Sequence, residues 1–314
     1  MGAEAAARVD THQHVVPPSY AAWLRELGIR AGGLPIPAWS APAAMDMMDN
    51  HGIRVGILSI STPGVHMGND IEARAKAREV NEFAAGVVRD HPERFGFFAT
   101  LTLPDVDGSL AEATYALDEL HADGLVLLAS NAGIYLGDPA FDALFDELHR
   151  RKVVVFVHPS VPMGLEPVPG LPAYAVDFLL DTTRAAVKLA ASGTLERCPD
   201  VKIILSHAGG FLPYAAHRVA PMCSATFDVD EGLARLKRFY FDIALSASPT
   251  ALPALLAFAE PDHVLYGSDW PYAPTPVVSR FTNGLDSYAL EDSQRRLLNH
   301  GTAEHLFHRI RRVM

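Results

Sequence analysis

Five residues stand where side-chain chemistry is most easily done: His12 and His14 in VDTHQH, His158 in FVHPS, His207 in ILSHAGG and Asp269 in YGSDWPY. Imidazole and carboxylate suit zinc, manganese or iron, and imidazole also exchanges protons near neutral pH. The H-x-H spacing has a geometric meaning. Residues two apart on an extended segment point to one side, so His12 and His14 can grip a single ion. Such a pair is a weak signal alone, because neighbouring histidines commonly lie on a solvated surface. Its weight comes from the strand-end His, His and Asp that follow it along the chain.

Each of the five sits at or just beyond the end of a short β-branched or apolar run. Eight such runs recur, at 7–11, 55–61, 95–103, 124–129, 153–158, 201–207, 239–244 and 263–266. Helix-periodic stretches lie between them, among them 69–90, 109–121, 139–151, 174–197 and 249–260. KVVVFVH and VKIILSH read as strands covered on both faces, as in a parallel sheet wrapped by helices. Eight alternations in 314 residues predict a (β/α)8 barrel forming one domain over 1–314. An open doubly wound sheet would show a Gly-rich phosphate loop after its first strand, where this chain has HQHVVPP. Working residues in a barrel leave the C-terminal ends of strands, so the four imidazoles and the carboxylate are expected at one rim.

The segment 15–50, rich in Pro, Gly and Trp, is predicted to be a loop and helix insertion over the barrel mouth. A second excursion, 159–173, has five prolines and little helical signal. The stretch 285–313 reads as a final helix or helix pair closing the barrel. Its basic end, Arg309, Arg311 and Arg312, reads as a solvated helix terminus. His66, in STPGVHMG after the second run, lies at the functional rim and reads as a substrate contact. The remaining histidines fall in helices or before strands and read as structural. Trp39, Phe178, Phe211, Trp270 and Tyr272 lie near the rim and favour a flat hydrophobic substrate, with Trp270 as a substrate contact. Taken singly, each is more often a core residue than a pocket one.

Composition narrows the partners. Lys and Arg number 26 against 37 for Asp and Glu, a net charge of −11, which excludes nucleic acid and anionic membrane as default partners. Cys198 and Cys223 have no CxxC spacing, so neither a disulfide framework nor a cysteine zinc site is expected, and a reducing, cytoplasmic setting is the simpler reading. Met1 to Ala7 lacks a basic start and an apolar core, and no run approaches about 18 apolar residues, so neither a targeting peptide nor a membrane span is expected.

In their order and separations, VDTHQH, FVHPS, ILSHAGG and YGSDWPY resemble the amidohydrolase superfamily, specifically its decarboxylase branch. That branch includes aminocarboxymuconate semialdehyde, γ-resorcylate and fungal 6-methylsalicylate decarboxylases. DTTRAAVKLAASG and PDVKIILSHAGGFLPYAAHR extend the likeness around the fifth and sixth units, and it covers essentially the whole barrel. The resemblance implies an amidohydrolase-like TIM barrel with one divalent metal ion per subunit, Zn2+ or Mn2+. By the same resemblance His12, His14, His158 and Asp269 match the metal ligands and His207 the catalytic histidine. Arg218, eleven residues after His207, matches an arginine that in some relatives reaches a neighbouring subunit's site to hold a substrate carboxylate. Its bland alternative is a surface or interface salt bridge. A homodimer or dimer of dimers is implied as well. Binuclear members carry a bridging Lys or Glu at the end of the fourth strand, whereas GLVLLASNAG offers neither before Asp138, so a mononuclear site is expected. Asn131 and Tyr135 in that loop are candidate hydrogen-bonding partners for substrate, with a turn role the alternative for Asn131.

The expected reaction is non-oxidative decarboxylation of a small anionic aromatic or unsaturated acid, such as a salicylate derivative. Three neutral imidazoles and one carboxylate leave a divalent ion with a charge of about +1, which attracts a carboxylate despite the negative protein. The metal would orient the acid and stabilise charge, while Asp269 or His207 protonates the ring carbon. The sequence does not choose between those two donors. The alternative function is hydrolysis of a lactone, ester or amide by a metal-bound hydroxide, with His207 as general base. A barrel that has become a scaffold would have lost a ligand or the proton carrier, and none is missing.

Overall fold

Valine, isoleucine and phenylalanine in the apolar runs favour extended backbone and give each run two apolar faces, which a closed parallel sheet coated by helices buries. The computed structural model, which describes residues 7–166 and 168–314, has this form. Its parallel strands follow chain order around a ring: β1 (Arg8–His14), β2 (Ile53–Ser59), β3 (Phe95–Thr100), β4 (Gly124–Leu128), β5 (Val154–His158), β6 (Lys202–Leu205), β7 (Tyr240–Asp242) and β8 (Val264–Leu265). The ring closes between its last and first strands. Thr11 N–H donates to the Tyr266 carbonyl at 3.0 Å, and His14 N–H to the Trp270 carbonyl at 2.7 Å. The fold is the (β/α)8 TIM barrel that the alternation predicts. The expectation for the amino terminus concerns, Ala7 apart, residues outside those described.

Period-two alternation sorts the strands into two layers. Val9, Ile57, Phe98, Val126, Phe156, Ile204, Tyr240 and Leu265, one from each strand, pack into a single cluster inside the barrel. Their neighbours, such as Leu125, Val155, Ile203 and Phe241, face the helices in the larger outer core. The same parity carries chemistry to the rim. Two residues beyond Phe156 comes His158, and two beyond Tyr240 comes Asp242, so both continue the interior columns upward.

Helices α1 (Pro18–Glu26) and α2 (Ala41–Asn50) occupy the segment between β1 and β2, and α2 packs on β2. The outer coat continues with α3 (Asp70–Asp90), α4 (Val106–Asp118), α5 (Asp142–Arg151), α6 (Asp177–Ala191), α7 (Leu212–Val219), α8 (Val229–Leu236), α9 (Ala251–Phe258) and α10 (Thr275–Asp286). Capping sets their starts: the Asn69 side chain accepts from Glu72 N–H at 3.0 Å at the head of α3, where Asp70 and Glu72 also meet the helix dipole. Among the described residues of the proline-rich stretch after β5, no helix forms before a single turn at Ala173–Ala175, because proline removes the amides a helix needs.

The carboxyl-terminal region is one helical run, Asp292–Arg296 and Thr302–Leu306 joined by a π turn at Leu297–Gly301, and not a helix pair. Beyond it Phe307 and Ile310, with Ala303, join the interior cluster and stopper the end of the barrel opposite the rim. Arg309 departs from the solvated role expected of it. Its guanidinium donates to Asp123 at 3.0 and 2.9 Å and to the carbonyls of Pro92 and Phe95 at 3.0 and 2.9 Å. The physical reason is Asp123, a carboxylate only 6% exposed at the turn into β4, which needs a cation beside it. Replacing Phe307 with Ala is expected to lower unfolding free energy by about 3–5 kcal/mol in a urea titration. A loss below about 1 kcal/mol would show that the tail is not part of the core.

Candidate metal centre and active site

The rim brings four residues from three elements of the barrel to one point. Ligand atoms of His12, His14, His158 and Asp269 all lie within 4.8 Å of one another, and all four residues are buried. His12 Nε2 and His14 Nε2 face each other at 3.2 Å, and Asp269 Oδ1 stands 3.4 and 3.0 Å from them. His207 joins from the loop after β6, with Nε2 3.4 Å from Asp269 Oδ2.

The far sides of the imidazoles decide what the near sides can do. His14 Nδ1 lies 3.2 Å from the Ser59 carbonyl and His158 Nδ1 2.8 Å from the Pro159 carbonyl. A carbonyl only accepts, so both Nδ1 atoms carry the proton and both Nε2 atoms present lone pairs inward. His12 Nδ1 likewise donates to the Asp242 carboxylate at 2.9 Å. Three imidazole nitrogens and a carboxylate oxygen aimed at one point form a cation site, with the outer partners fixing ring orientation as they do around bound metals. The donor set fits a divalent ion.

Electrostatics say the same. Burial alone would disfavour charge on His12, but Asp242 and Asp269 outweigh it and push its pKa up to about 10. Burial pushes the His14 imidazole down, and burial with the neighbouring imidazoles pushes His158 well below the usual histidine range. Burial also works against charge on Asp269, yet hydrogen bonds with His12, His14 and His207 hold its carboxyl well below the usual range. The two carboxylates thus demand positive charge at this point, a demand that either a proton or a metal ion meets.

Local backbone serves the same end. His207, Ala208 and Asp269 adopt φ of +53°, +57° and +61°, a left-handed region costly for residues with a Cβ and common where function fixes geometry. Asp269 is held there by its amide, which donates to the His12 carbonyl at 2.7 Å. Gly267 permits the approach, since a Cβ at that position would lie 2.8 Å from the His12 Cβ.

Two carboxylates that the motif reading passed over complete the frame. Asp242 accepts from His12 and also, through Oδ1, from the amides of His207 at 3.2 Å and Ala244 at 2.8 Å. Asp10 accepts from the amides of His12 at 3.1 Å and Ser268 at 3.0 Å, tying the H-x-H segment to the turn that carries Asp269. A signal existed for both: each is the only acid of its strand, RVDTHQH for Asp10 and YFD for Asp242, and an unpaired carboxylate buried in a barrel strand is expensive.

A cavity of about 730 Å³ opens above the centre, with His158, His207 and Asp269 in its floor and Phe178, Phe211 and Tyr272 in its walls. No Lys or Arg lines it among the described residues. The other candidates fall elsewhere. Trp270 is packed in the core, 7% exposed, and does not line this cavity; Tyr272, two residues on, does. Trp39 packs against Phe83. His66 faces Asp70 at 2.8 Å and lines a neighbouring chamber, as does Asn131, whose amide donates to the Leu128 carbonyl at 3.1 Å. The Tyr135 hydroxyl lies 3.4 Å from Arg184 Nη1. Arg218 is exposed in the last turn of α7, outside its own chain's cavity.

Known proteins share this architecture. The 6-methylsalicylic acid decarboxylase of Penicillium expansum is 38% identical over 322 residues, covering 98% of this chain and 98% of the relative. A γ-resorcylate decarboxylase of Rhizobium is 27% identical, over 84% of this chain and 85% of its own. Among solved structures, 5-carboxyvanillate decarboxylase of Novosphingobium aromaticivorans, complexed with manganese and 4-hydroxy-3-methoxy-5-nitrobenzoic acid, is similar at a TM-score of 0.85 and 21% identity. It covers 98% of this chain and 97% of its own, a likeness of fold. A family model described as amidohydrolase matches residues 9–309, from β1 through to the arginine that anchors the tail, and the chain belongs to the amidohydrolase family.

Proposed function

We propose that the protein is a metal-dependent, non-oxidative decarboxylase of small hydroxylated aromatic acids, with hydroxybenzoates such as 6-methylsalicylate as its substrate class. The observation that carries this reading is the convergence of three inward lone pairs and one carboxylate beneath an apolar cavity, with His207 beside them. Relatives at 38% identity that bear the names of decarboxylases support it, and no observation favours the hydrolytic alternative.

In this reading His12, His14, His158 and Asp269 hold one divalent ion, manganese or zinc. When bound, the ion supplies positive charge that polarises and orients the substrate carboxylate and an adjacent phenolic oxygen. Phe178, Phe211 and Tyr272 present apolar surface to the ring. His207 Nε2 and Asp269 Oδ2, 3.4 Å apart, share the proton that is delivered to the ring carbon bearing the carboxylate. The bond from that carbon to the carboxylate then breaks, its electron pair returns to the ring, and carbon dioxide leaves. Asp242 fixes the orientation of His12 and the backbone of His207 together, so ion and proton donor are placed by one group.

The setting is part of the proposal. One domain spans the chain, with residues 15–50 contributing to the mouth. Copies pair as a homodimer or dimer of dimers, with Arg218 turned toward a neighbour's site. The free, buried Cys198 and Cys223 fit a reducing cytoplasm. Among the described residues no helix is long and apolar enough to cross a membrane.

Chelator-stripped protein reloaded with manganese or zinc is expected to bind one ion per chain and to release carbon dioxide from 6-methylsalicylate, salicylate or 2,6-dihydroxybenzoate. Turnover of lactones or esters with no carbon dioxide from any of these acids would overturn the reading. His207→Asn is expected to lower kcat by about 10²–10⁴ while metal content stays at the wild-type level. An unchanged kcat would remove His207 from the chemistry. Asp242→Asn is expected to weaken metal binding by about 10–100-fold in a metal-buffered titration. Unaltered affinity would reduce Asp242 to a packing residue.

A further inference from the structure

The cavity above the metal centre has a neighbour. A second chamber of about 500 Å³ lies against the C-terminal ends of β2 to β5. Ser61 and Thr62 line both spaces and mark where they adjoin, and the loop 30–34 edges both. This junction begins beside the reaction centre, for Ser61 Oγ stands 3.5 Å from His158 Nε2. Ile60, Val65, Met67, Leu101, Leu103 and Leu127 make much of the second chamber's lining apolar. Its one Lys or Arg among the described residues, Arg30, directs Nε to the Gly33 carbonyl at 3.0 Å, and its one histidine, His66, is engaged with Asp70.

Sites for small molecules commonly measure about 300–1,000 Å³, so each chamber is ligand-sized alone. A single-ring acid bearing one methyl group is accommodated by the first and leaves the second unused. Apolar lining next to a reaction centre contributes to catalysis when apolar atoms of the substrate enter it, because binding free energy gained away from the reacting bond can be spent in the transition state.

We infer that the second chamber is a subsite for an apolar chain carried on the substrate's ring. The substrate class then extends to hydroxybenzoates bearing alkyl or alkenyl chains of several carbons. This rests on the decarboxylase reading proposed above. The chain leaves the ring beside Ser61 and Thr62 and lies along Val65, Leu101 and Leu103, while the carboxylate stays at the metal centre.

The test uses the manganese-loaded enzyme and two series of 2-hydroxybenzoates, with straight alkyl chains from methyl to heptyl at ring position 4 or 6. In at least one series kcat/KM is expected to rise about three- to fivefold per added methylene over the first several carbons. Met67 and Val161 both line the chamber; Met67→Trp and Val161→Trp would narrow it, and in whichever variant folds the ratio of heptyl to methyl kcat/KM is expected to fall at least tenfold. Turnover of the methyl acids with flat or falling values along both series would overturn the subsite and leave the decarboxylase reading standing. So would a rise that survives in a folded tryptophan variant. Release of carbon dioxide from no member at any length would overturn both.

Discussion

The hydrogen bonds that close the barrel are also the ones that assemble its chemistry. A parallel sheet of eight strands must join its last strand to its first, and here that seam runs through the metal centre. The Asp269 amide donates to the His12 carbonyl, the His14 amide to the Trp270 carbonyl, and the buried Asp10 bridges the His12 and Ser268 amides. Ligands from the two ends of the chain therefore come together as a condition of closing the sheet. Loosening the seam would cost stability and geometry at once, which accounts for the left-handed backbone tolerated at Asp269.

A second constraint is charge. The protein has a net charge of −11, and the cavity over the site is lined by no Lys or Arg among the described residues. Attraction for an acidic ligand within one chain must come from the cluster, whose imidazoles are turned lone-pair inward by carbonyl and carboxylate partners behind them. The outer partners do as much to define the site as the ligands do, because they decide which nitrogen bears a proton.

Much of this was legible from residue spacing. Periodicity located every strand of the barrel, and strand-end position picked out His12, His14, His158, His207 and Asp269 among fourteen histidines and many acids. The supporting acids were harder to see. Asp242 belongs to no motif, and its role depends on β7 lying next to β6 and within reach of His12 across the barrel, a relation that only closure creates. Arg309 was obscured for the opposite reason. At the end of a basic tail it looks like a solvated charge, and only the turn holding Asp123 makes it a tie. Trp270 and Tyr272 show the limit of composition: two aromatics two residues apart take opposite fates, one in the core and one in the cavity wall.

Ala303, Phe307 and Ile310 fill the lower end of the barrel, so the interior is a cup and not a conduit. Among the described residues the cavity that holds His158, His207 and Asp269 lies at the upper end, and ligand and product alike are expected to use it. In the proposed reaction a released gas would slip past a seated aromatic, but the aromatic product would not be pushed out from below. It must back out along the route its precursor took, which makes the clearance of that one passage a term in every turnover.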